Sequence, residues 1–361
     1  MDPMALMYTS GSTGRPKGVL QPNAGYQTAG QAYVDRMGIT ADDVWICTLP
    51  LFHAGGTHLM LAPTIAAGAS LVLVPRFDVR AFWPQVHAHD ATLTLLFPAQ
   101  MSMLLSLPED PTDRDNELRL SISHVVNPAF TERFGVEILT TFSQTESLGM
   151  GALTPPGSRN VAPGVVGPAL PPELEIRVVD PAGDEVPRGE RGEICLRHPH
   201  LMLGYHRDPE NTGAALRDGW LRTGDIGTLD DRGWLTYRGR IKHMIKRMGE
   251  NIAGEEVEFA LMRHPDVEEA VVCSVPDPIR TEEVFAIVRG RDGRAPDIAA
   301  LIAWIGDELS AWKLPRYVRV DATPFPRLPN GKLDRVTLTR DVDPADAWDR
   351  EAHRVRLVDP A

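Results

Sequence analysis

Between residues 44 and 142 the chain alternates short apolar runs typical of strands with longer runs typical of helices. In chain order the pattern predicts a strand at 44–49, a helix at 57–67, a strand at 71–74, a helix at 79–89, a strand at 93–97, a helix at 99–107 and a strand at 136–142. Parallel strands need a long crossover between them, and that crossover is usually a helix. This alternation therefore predicts an α/β fold in which helices cover both faces of a parallel sheet.

The pattern changes beyond residue 164, where shorter apolar runs are separated by Gly, Pro and Asp. These runs, at 174–179, 193–197 and 234–238, predict a small antiparallel β unit. After Arg240 a new unit begins, with helices predicted at 255–263 and 298–309 and strands at 267–275 and 284–288. We therefore expect a large domain over residues 1–240, a small mobile α+β domain over 241–340 and a loose charged tail over 341–361.

Composition excludes several classes of function. The chain has 361 residues and a net charge of −12, which argues against the basic surface that nucleic-acid binding requires. An apolar stretch from 44 to 75 is interrupted by Pro and Gly, so no membrane span is predicted. The three cysteines lie far apart, and the N-terminus lacks the pattern of a secretion signal, so we expect a cytoplasmic protein without disulfides.

The strongest local motif is a run of small hydroxyl residues and glycines that is followed by a lysine. It comprises Thr9, Ser10, Gly11, Ser12, Thr13, Gly14 and Lys17. Glycines allow backbone N–H groups to turn inward around an anion, hydroxyl groups add donors, and lysine adds charge, so the run suits a polyphosphate. The Gly-Lys-Ser/Thr ending of a Walker motif is missing, and a flexible Ser/Gly turn is the alternative interpretation. Lysine is scarce, with five among 37 basic residues, which favours a specific role for Lys17.

Five further motifs follow in order along the chain. They are Pro50-Leu51-Phe52-His53-Ala54-Gly55-Gly56, Thr141-Phe142-Ser143-Gln144-Thr145-Glu146, Trp220-Leu221-Arg222-Thr223-Gly224-Asp225, the segment from Tyr237 to Lys246, and Asn330-Gly331-Lys332. Together with the Ser/Thr/Gly run, this order resembles the adenylate-forming superfamily of acyl-CoA synthetases, peptide-synthetase adenylation domains and luciferases. Residues 50–120 are most similar to carnitine/crotonobetaine-CoA and fatty-acid-CoA ligases.

The resemblance implies an enzyme that uses ATP, Mg²⁺ and CoA, and it assigns roles to the nucleotide-binding residues. Glu146 would bind Mg²⁺, Thr145 would bond the α-phosphate, and Phe142 would stack on adenine. Asp225 would bind the ribose hydroxyls, and Arg240 would add positive charge near the nucleotide. Taken singly, these residues also fit a helix cap, a turn aspartate and a surface ion pair.

The resemblance also assigns the catalytic loop, the hinge and the pocket. Lys332 would bridge the acid and the α-phosphate, with a solvated turn lysine as the alternative. Lys242 would be the hinge of the small domain, and the segment from Lys246 through Gly249 to Ile252 would line the thiol channel. His53 and Ser143 would line the acyl pocket, although His53 also fits a hydrogen-bonded core histidine.

The chain departs from the family pattern at several points. Family members carry a long segment before the phosphate loop, which starts here at residue 8, so we expect exposed apolar surface and a homo-oligomer or a partner chain. Residues 121–128 replace a glycine-rich loop, and Ser143 replaces a glycine. Arg247-Met248-Gly249 replaces Ser-Gly-Gly, and the methionine is expected to narrow the thiol path.

The sequence therefore predicts an ATP-dependent acid:CoA ligase that forms an acyl-adenylate, releases pyrophosphate and transfers the acyl group to CoA. One alternative is an adenylating enzyme with another acid or acceptor, such as an amine, a carrier protein or nitrite for diazotisation. A second alternative is a paralogue that binds nucleotide or a partner without turnover. The identity of the acid stays open.

Overall fold

The computed structural model describes residues 2–9, 16–158, 161–248, 250–328 and 333–352. The chain divides into two compact units, Met1–Tyr237 and Arg238–Ala361. Within the described ranges, no helix has both the length and the apolar character needed to cross a bilayer.

The first unit is built from three sheets and the helices around them. Its strands are β1 (Pro3–Thr9), β2 (Lys17–Pro22), β3 (Val44–Cys47), β4 (Ser70–Leu73), β5 (Leu93–Leu95), β6 (Leu120–Ser123), β7 (Glu137–Ser143), β8 (Gly151–Leu153), β9 (Val165–Gly167), β10 (Ala169–Leu170), β11 (Glu175–Val179), β12 (Gly192–Arg197), β13 (Gly204–Tyr205), β14 (Leu216–Arg217), β15 (Trp220–Leu229) and β16 (Leu235–Arg240), the last of which continues into the second unit. Its helices are α1 (Asn23–Met37), α2 (Ala54–Gly56), α3 (Ala62–Ala67), α4 (Phe82–Ala88), α5 (Pro98–Leu105), α6 (Pro128–Phe134) and α7 (Pro209–Ala215), with a π-helical turn, Thr57–Leu61, between α2 and α3.

The central sheet has seven strands in the order β10-β8-β7-β6-β5-β3-β4. The five strands from β7 to β4 are parallel, whereas β8 and β10 run antiparallel at one edge. Alternate residues of a strand point to opposite faces. In β3, Trp45 packs in a core with α1 and the π-helical turn, whereas Ile46 packs in a second core with α4, α5 and α6. Helices therefore cover both faces of the sheet, which confirms the predicted α/β class.

Two antiparallel sheets complete this part of the chain. The first has the order β1-β2-β13, and the Ser/Thr/Gly run falls between β1 and β2 in the sequence. The second has the order β11-β12-β15-β16-β9, with β14 paired to β15, and it is the predicted antiparallel unit.

The second unit contains one mixed sheet. Its elements are β17 (Met244–Arg247), β18 (Glu250–Ala253), α8 (Gly254–Met262), β19 (Val267–Asp277), β20 (Thr281–Gly290), α9 (Ile298–Gly306), β21 (Tyr317–Val320), α10 (Arg335–Thr339) and β22 (Trp348–Asp349). Strand β20 pairs antiparallel with β19 and parallel with β21. Side chains of α8 and α9 pack on the sheet and form a core separate from those of the first unit. This is the α+β unit that the sequence predicts.

The prediction of a loose tail from Asp341 is wrong for the residues up to 352. Strand β22 pairs with β21, and Trp348 packs against the core of the second unit. Two carboxylates hold the segment by ion pairs, Asp349 with Arg316 and Glu351 with Arg280. The acidic residues that made the segment look solvated therefore form ion pairs with arginines that lie directly before β20 and β21.

Candidate functional site

The carboxyl ends of the parallel strands bring two predicted site residues, His53 and Glu146, to one edge of the sheet. His53 follows β3, Phe97 follows β5, His124 follows β6, and Glu146 follows β7. In open α/β sheets the loops at this edge are where ligands bind, because the connections diverge there. The aromatic-His motif (residues 50–56) and the Thr-Glu motif (residues 141–146) therefore lie at the same edge of the sheet, although they are far apart in sequence.

Lys17, at the end of the Ser/Thr/Gly run, and Glu146 both contact Tyr205. Thr9 and Lys17 stand directly opposite each other at the ends of β1 and β2. The ammonium of Lys17 lies 4.7 Å from the centre of the Tyr205 ring. The hydroxyl of Tyr205 donates a hydrogen bond of 2.9 Å to Oε1 of Glu146. The pairing of β13 with β2, in which Tyr205 stands opposite Val19, sets this arrangement.

The geometry at Glu146 fits a magnesium ion that is shared with substrate phosphates. One carboxylate oxygen accepts the bond from Tyr205, and Oε2 has no hydrogen-bond partner among the described residues. In the same ranges no cluster of three or more His, Cys, Asp or Glu could hold a metal ion. Mg²⁺ in nucleotide enzymes takes one or two carboxylates together with phosphate oxygens rather than a cage of protein ligands. A single oriented carboxylate therefore fits this ion.

Gln144 links the Thr-Glu motif to the predicted ribose-binding element. Its Nε2 donates to the carbonyl of Thr223 at 2.8 Å and to Oδ2 of Asp225. The Asp225 residue is only 2% exposed. These partners are 79 and 81 positions away from Gln144 in sequence, and the structure brings the two motifs into direct contact.

Phe142, which the resemblance assigns to adenine stacking, is almost completely buried near the end of β7. It is 6% exposed and stacks on Tyr237, with ring centres 5.9 Å apart. Ser143, the next residue, is half-buried at the end of β7. At the end of β7, Tyr237 and Ser143 are therefore partly accessible, whereas Phe142 between them is buried.

His53 belongs to a row of rings at the strand ends. Its ring lies edge-on to Phe97 at 6.0 Å, and Phe97 stacks on His124 at 5.9 Å. His53 also caps α2, because its Nδ1 accepts a bond of 3.0 Å from the backbone N–H of Gly55. His53 is half-buried and hydrogen-bonded, and its role in an acyl pocket stays a prediction. His124 lies in the segment 121–128, which replaces the glycine-rich loop of the family, and its imidazole ring packs against Phe97.

In the second unit the predicted channel residues form a hairpin. Lys246 is exposed on β17, and its backbone N–H donates to Oε2 of Glu282 at 2.6 Å. Arg247 points the other way and is buried in an ion pair with Glu283. Met248 is 68% exposed and has a φ of 53°, in the left-handed region that favours glycine.

The remaining predicted residues divide into two groups. Arg240 is half-buried at the end of β16, and Lys242 lies in the 3₁₀ turn Ile241–His243. The residues outside the described ranges are Ser10, Gly11, Ser12, Thr13, Gly14, Gly249 and Lys332.

Three residues of the site were not predicted from the sequence. They are Tyr205, Gln144 in its contact with Asp225, and the buried Gln21. Gln21 lies in β2 and donates a bond of 3.0 Å to the carbonyl of Thr145. Glutamine is mostly exposed in proteins, so its residue type did not predict a buried position. Only the apolar residues around it in β2 pointed to burial. Tyr205 carried no signal, because its position depends on a two-residue strand far along the chain.

Comparison with known proteins identifies the family. The model of the AMP-binding enzyme family matches residues 1–206, and the model of the AMP-binding enzyme C-terminal domain matches residues 256–332. The chain belongs to the AMP-binding enzyme family. The resemblance to adenylate-forming enzymes is therefore confirmed.

Individual relatives of this AMP-binding enzyme include CoA ligases and an amide synthetase. A crotonobetaine/carnitine–CoA ligase from Salmonella paratyphi C is 33% identical over 347 residues, which cover 93% of this chain and 66% of the relative. The ATP-bound structure of MatB from Rhodopseudomonas palustris is 31% identical with a TM-score of 0.84, covering 94% of this chain and 68% of that one. The amide bond synthetase McbA from Marinactinospora thermotolerans is 31% identical with a TM-score of 0.80, covering 93% and 68%. The chain thus spans about two thirds of the length of these relatives.

Proposed function

We propose that this chain activates a carboxylic acid with MgATP as its acyl-adenylate and then transfers the acyl group to CoA. The observation that supports this proposal best is the contact series from Lys17 through Tyr205 to Glu146. It joins Lys17, at the start of β2, to a carboxylate whose Oε2 accepts no hydrogen bond from the residues that the structure describes. This pair suits a polyphosphate with a bound divalent cation.

In the first step an oxygen of the acid attacks the α-phosphorus of ATP. The bond from that phosphorus to the bridging oxygen breaks, and pyrophosphate leaves with the electron pair. Lys17 would orient the phosphates and offset part of their charge, Glu146 would hold the Mg²⁺ that offsets more of it, and Asp225 would bind the ribose hydroxyls. Phosphoryl and nucleotidyl transfers depend mainly on this positioning and charge stabilisation.

The residues of the second unit complete the proposal. We assign Lys332 to the bridge between the acid and the α-phosphate, Lys242 to the hinge, and Lys246 with Gly249 to the thiol channel. In the second step the CoA thiol loses its proton to solvent and the sulfur attacks the acyl carbon. The bond from that carbon to the phosphate oxygen then breaks, and AMP leaves with the electron pair. These roles are carried over from the family pattern.

A second acceptor is favoured by two observations. One relative is named as an amide bond synthetase, and forming an amide requires an amine as the acceptor. Met248 places a long exposed side chain at the tip of the hairpin that is proposed to guide the thiol. An amine acceptor would use the same first step and would change only the group that attacks the acyl carbon.

Product analysis with a panel of acids separates these cases. Wild-type protein is incubated with MgATP and each acid, alone, with CoA, or with a panel of amines, and products are identified by mass spectrometry. Acid-dependent release of pyrophosphate with an acyl-CoA product supports the CoA ligase. An amide product with no thioester assigns the amine acceptor, and nucleotide binding without pyrophosphate release from any acid contradicts the proposal.

A further inference from the structure

A buried polar network connects the strand that follows the phosphate loop to the turn that carries Glu146. Gln21, in β2, is completely buried. Its Nε2 donates to the carbonyl of Thr145 at 3.0 Å, and its Oε1 accepts a bond of 2.6 Å from the hydroxyl of Tyr26. The same Oε1 lies 3.3 Å from Nε2 of His58, in the π-helical turn. Three separate elements therefore converge on one side-chain amide.

The neighbours of Gln21 fix which way its amide points. The carbonyl of Thr145 can only accept, so it requires the NH₂ group on its side. Burial lowers the pKa of His58 to about 3, with a smaller contribution from His53, so the His58 ring is neutral at physiological pH. Its single N–H is best placed on Nε2, facing Oε1 of Gln21. Nδ1 of His58 has no hydrogen-bond partner within the described ranges.

The turn that receives this bond is held in an uncommon backbone conformation. Leu148, which is completely buried, has a φ of 54° and donates its N–H to the carbonyl of Thr145 at 3.2 Å. A large side chain in the left-handed region costs free energy, so the surrounding contacts must hold it there. The carbonyl of Glu146 is fixed as well, by the N–H of Met202 at 3.0 Å. The backbone on both sides of the Thr145 and Glu146 side chains is therefore anchored.

We propose that Gln21 is a positioning residue that orients the Thr145–Glu146 turn for MgATP, with Tyr26 and His58 holding its amide in place. The proposal rests on the proposed function, because it gives Glu146 its role toward Mg²⁺. Strand β2 reaches the turn from both of its ends. Lys17 acts at one end through Tyr205, and Gln21 acts at the other end through the carbonyl of Thr145.

The test compares ATP affinity with and without Mg²⁺ in isosteric variants. Gln21→Glu keeps the shape and the acceptor for Tyr26 and, with its carboxyl group ionised, removes the NH₂ donor to Thr145. The affinity for ATP is measured by calorimetry, once in excess Mg²⁺ and once in EDTA. The affinity in Mg²⁺ divided by the affinity in EDTA is called the gain from Mg²⁺. Loss of a buried hydrogen bond commonly amounts to about a tenfold change in an equilibrium. We expect the gain from Mg²⁺ to fall about tenfold, while affinity in EDTA stays within about twofold.

Matched variants keep the outcome decisive. Gln27→Glu adds the same charge on the exposed face of α1 and should leave both affinities unchanged. If Gln21→Glu does not fold, Tyr26→Phe removes only the hydroxyl that holds the amide and should lower the gain by about threefold. An unchanged gain in a folded variant, or equal losses with and without Mg²⁺, overturns the positioning role.

Failure of the proposed function gives a different pattern. Glu146→Gln should remove most of the gain from Mg²⁺, since it removes the carboxylate itself. A wild-type protein without any gain, or a Glu146→Gln variant that keeps it, contradicts the role of Glu146 and with it the proposed function. A gain that is lost in Glu146→Gln and kept in Gln21→Glu contradicts only the inference about Gln21.

Discussion

At the scale of single residues, the hydrogen bond from Tyr205 orients the Glu146 carboxylate, which we propose binds Mg²⁺. The bond occupies Oε1 and leaves Oε2 for a ligand. Tyr205 is only 9% exposed, so water competes little for its hydroxyl. The ring of the same residue supports the Lys17 ammonium.

Tyr205→Phe separates these two contributions. The variant keeps the ring under Lys17 and loses the donor to Glu146, which carries charge. Hydrogen bonds to charged groups contribute about 1.5–3 kcal/mol, so we expect kcat/KM for MgATP in pyrophosphate exchange to fall by about tenfold or more. Tyr317→Phe, at a half-buried tyrosine of β21 in the second unit, is the control. Equal rates for Tyr205→Phe and wild type would remove this bond from the account.

The sequence predicted Glu146 and Lys17 but could not predict the residue that joins them. Each lies in a local motif whose residue types indicate phosphate and cation chemistry. Tyr205 belongs to a two-residue strand whose partner, β2, lies near the other end of the first unit, and such pairing depends on the tertiary fold. The burial of Phe142 could not be predicted for the same reason, because Tyr237, on which it stacks, lies far along the chain.

At the scale of elements, the hairpin of β17 and β18 is held by a buried ion pair. Arg247 contacts Glu283, which is completely buried, with Nη2 and Oε2 3.0 Å apart. Its Nη1 donates to the carbonyl of Trp312 at 2.9 Å. The resemblance to the family assigned Arg247 to a channel loop, and alternation along a strand that short does not show which face a side chain occupies. The structure shows it to be a core contact of the second unit.

Removing one partner of this pair should be costly. Arg247→Met leaves the Glu283 carboxylate buried with Arg280 as its remaining arginine partner. Loss of one partner of a buried pair costs about 3–5 kcal/mol, so we expect a decrease of that size in the free energy of unfolding, measured in urea. Arg232→Met, in an exposed pair with Asp230, should cost less than about 1 kcal/mol. Similar costs for the two variants would contradict the structural role of Arg247.

Asp43, directly before β3, forms an ion pair with Arg119 and accepts a hydrogen bond from Thr92. These contacts predict that the stability of the fold depends on pH. Burial raises the pKa of Asp43, but hydrogen bonds from Arg119, Thr40 and Thr92 outweigh it and hold the pKa below its usual value. A lowered pKa means that the carboxylate stabilises the fold above about pH 4 and that this stability is lost as pH falls further. Asp43→Asn should lose about 2 kcal/mol at pH 7 and less at pH 3. Asp42→Asn, at the exposed neighbour, should match wild type at both pH values, and a constant loss for Asp43→Asn would exclude the linkage.

At the scale of the whole molecule, the chain has two compact units with separate cores. The alternation of strands and helices was sufficient to predict the parallel sheet and both of its covered faces. It was not sufficient for the segment after Asp341, because charge density was taken as a sign of solvation whereas the carboxylates pair with arginines. Periodicity reports which side chains are apolar and gives no information on the partners of the polar ones.

The proposed hinge can be tested through the two half-reactions. Proline at residue 242 fixes φ near −65° and removes an N–H donor. If a change at the hinge is needed only for acyl transfer, Lys242→Pro should keep most of the pyrophosphate exchange. Thioester formation from a preformed adenylate should fall by about 100-fold. Lys242→Ala, which removes the charged side chain but leaves φ free, is the control and should retain both activities, whereas equal losses of both steps in Lys242→Pro would argue against a hinge at this residue.

The central claim is that the chain forms an acyl-adenylate, and exchange of labelled pyrophosphate into ATP measures that step directly. The assay is run without CoA, with and without each acid, for wild type, Glu146→Gln and Lys332→Ala. The account predicts exchange that requires both Mg²⁺ and an acid, and that falls by about 100-fold in each variant. Acid-independent exchange, or wild-type rates in Glu146→Gln and Lys332→Ala, would contradict it.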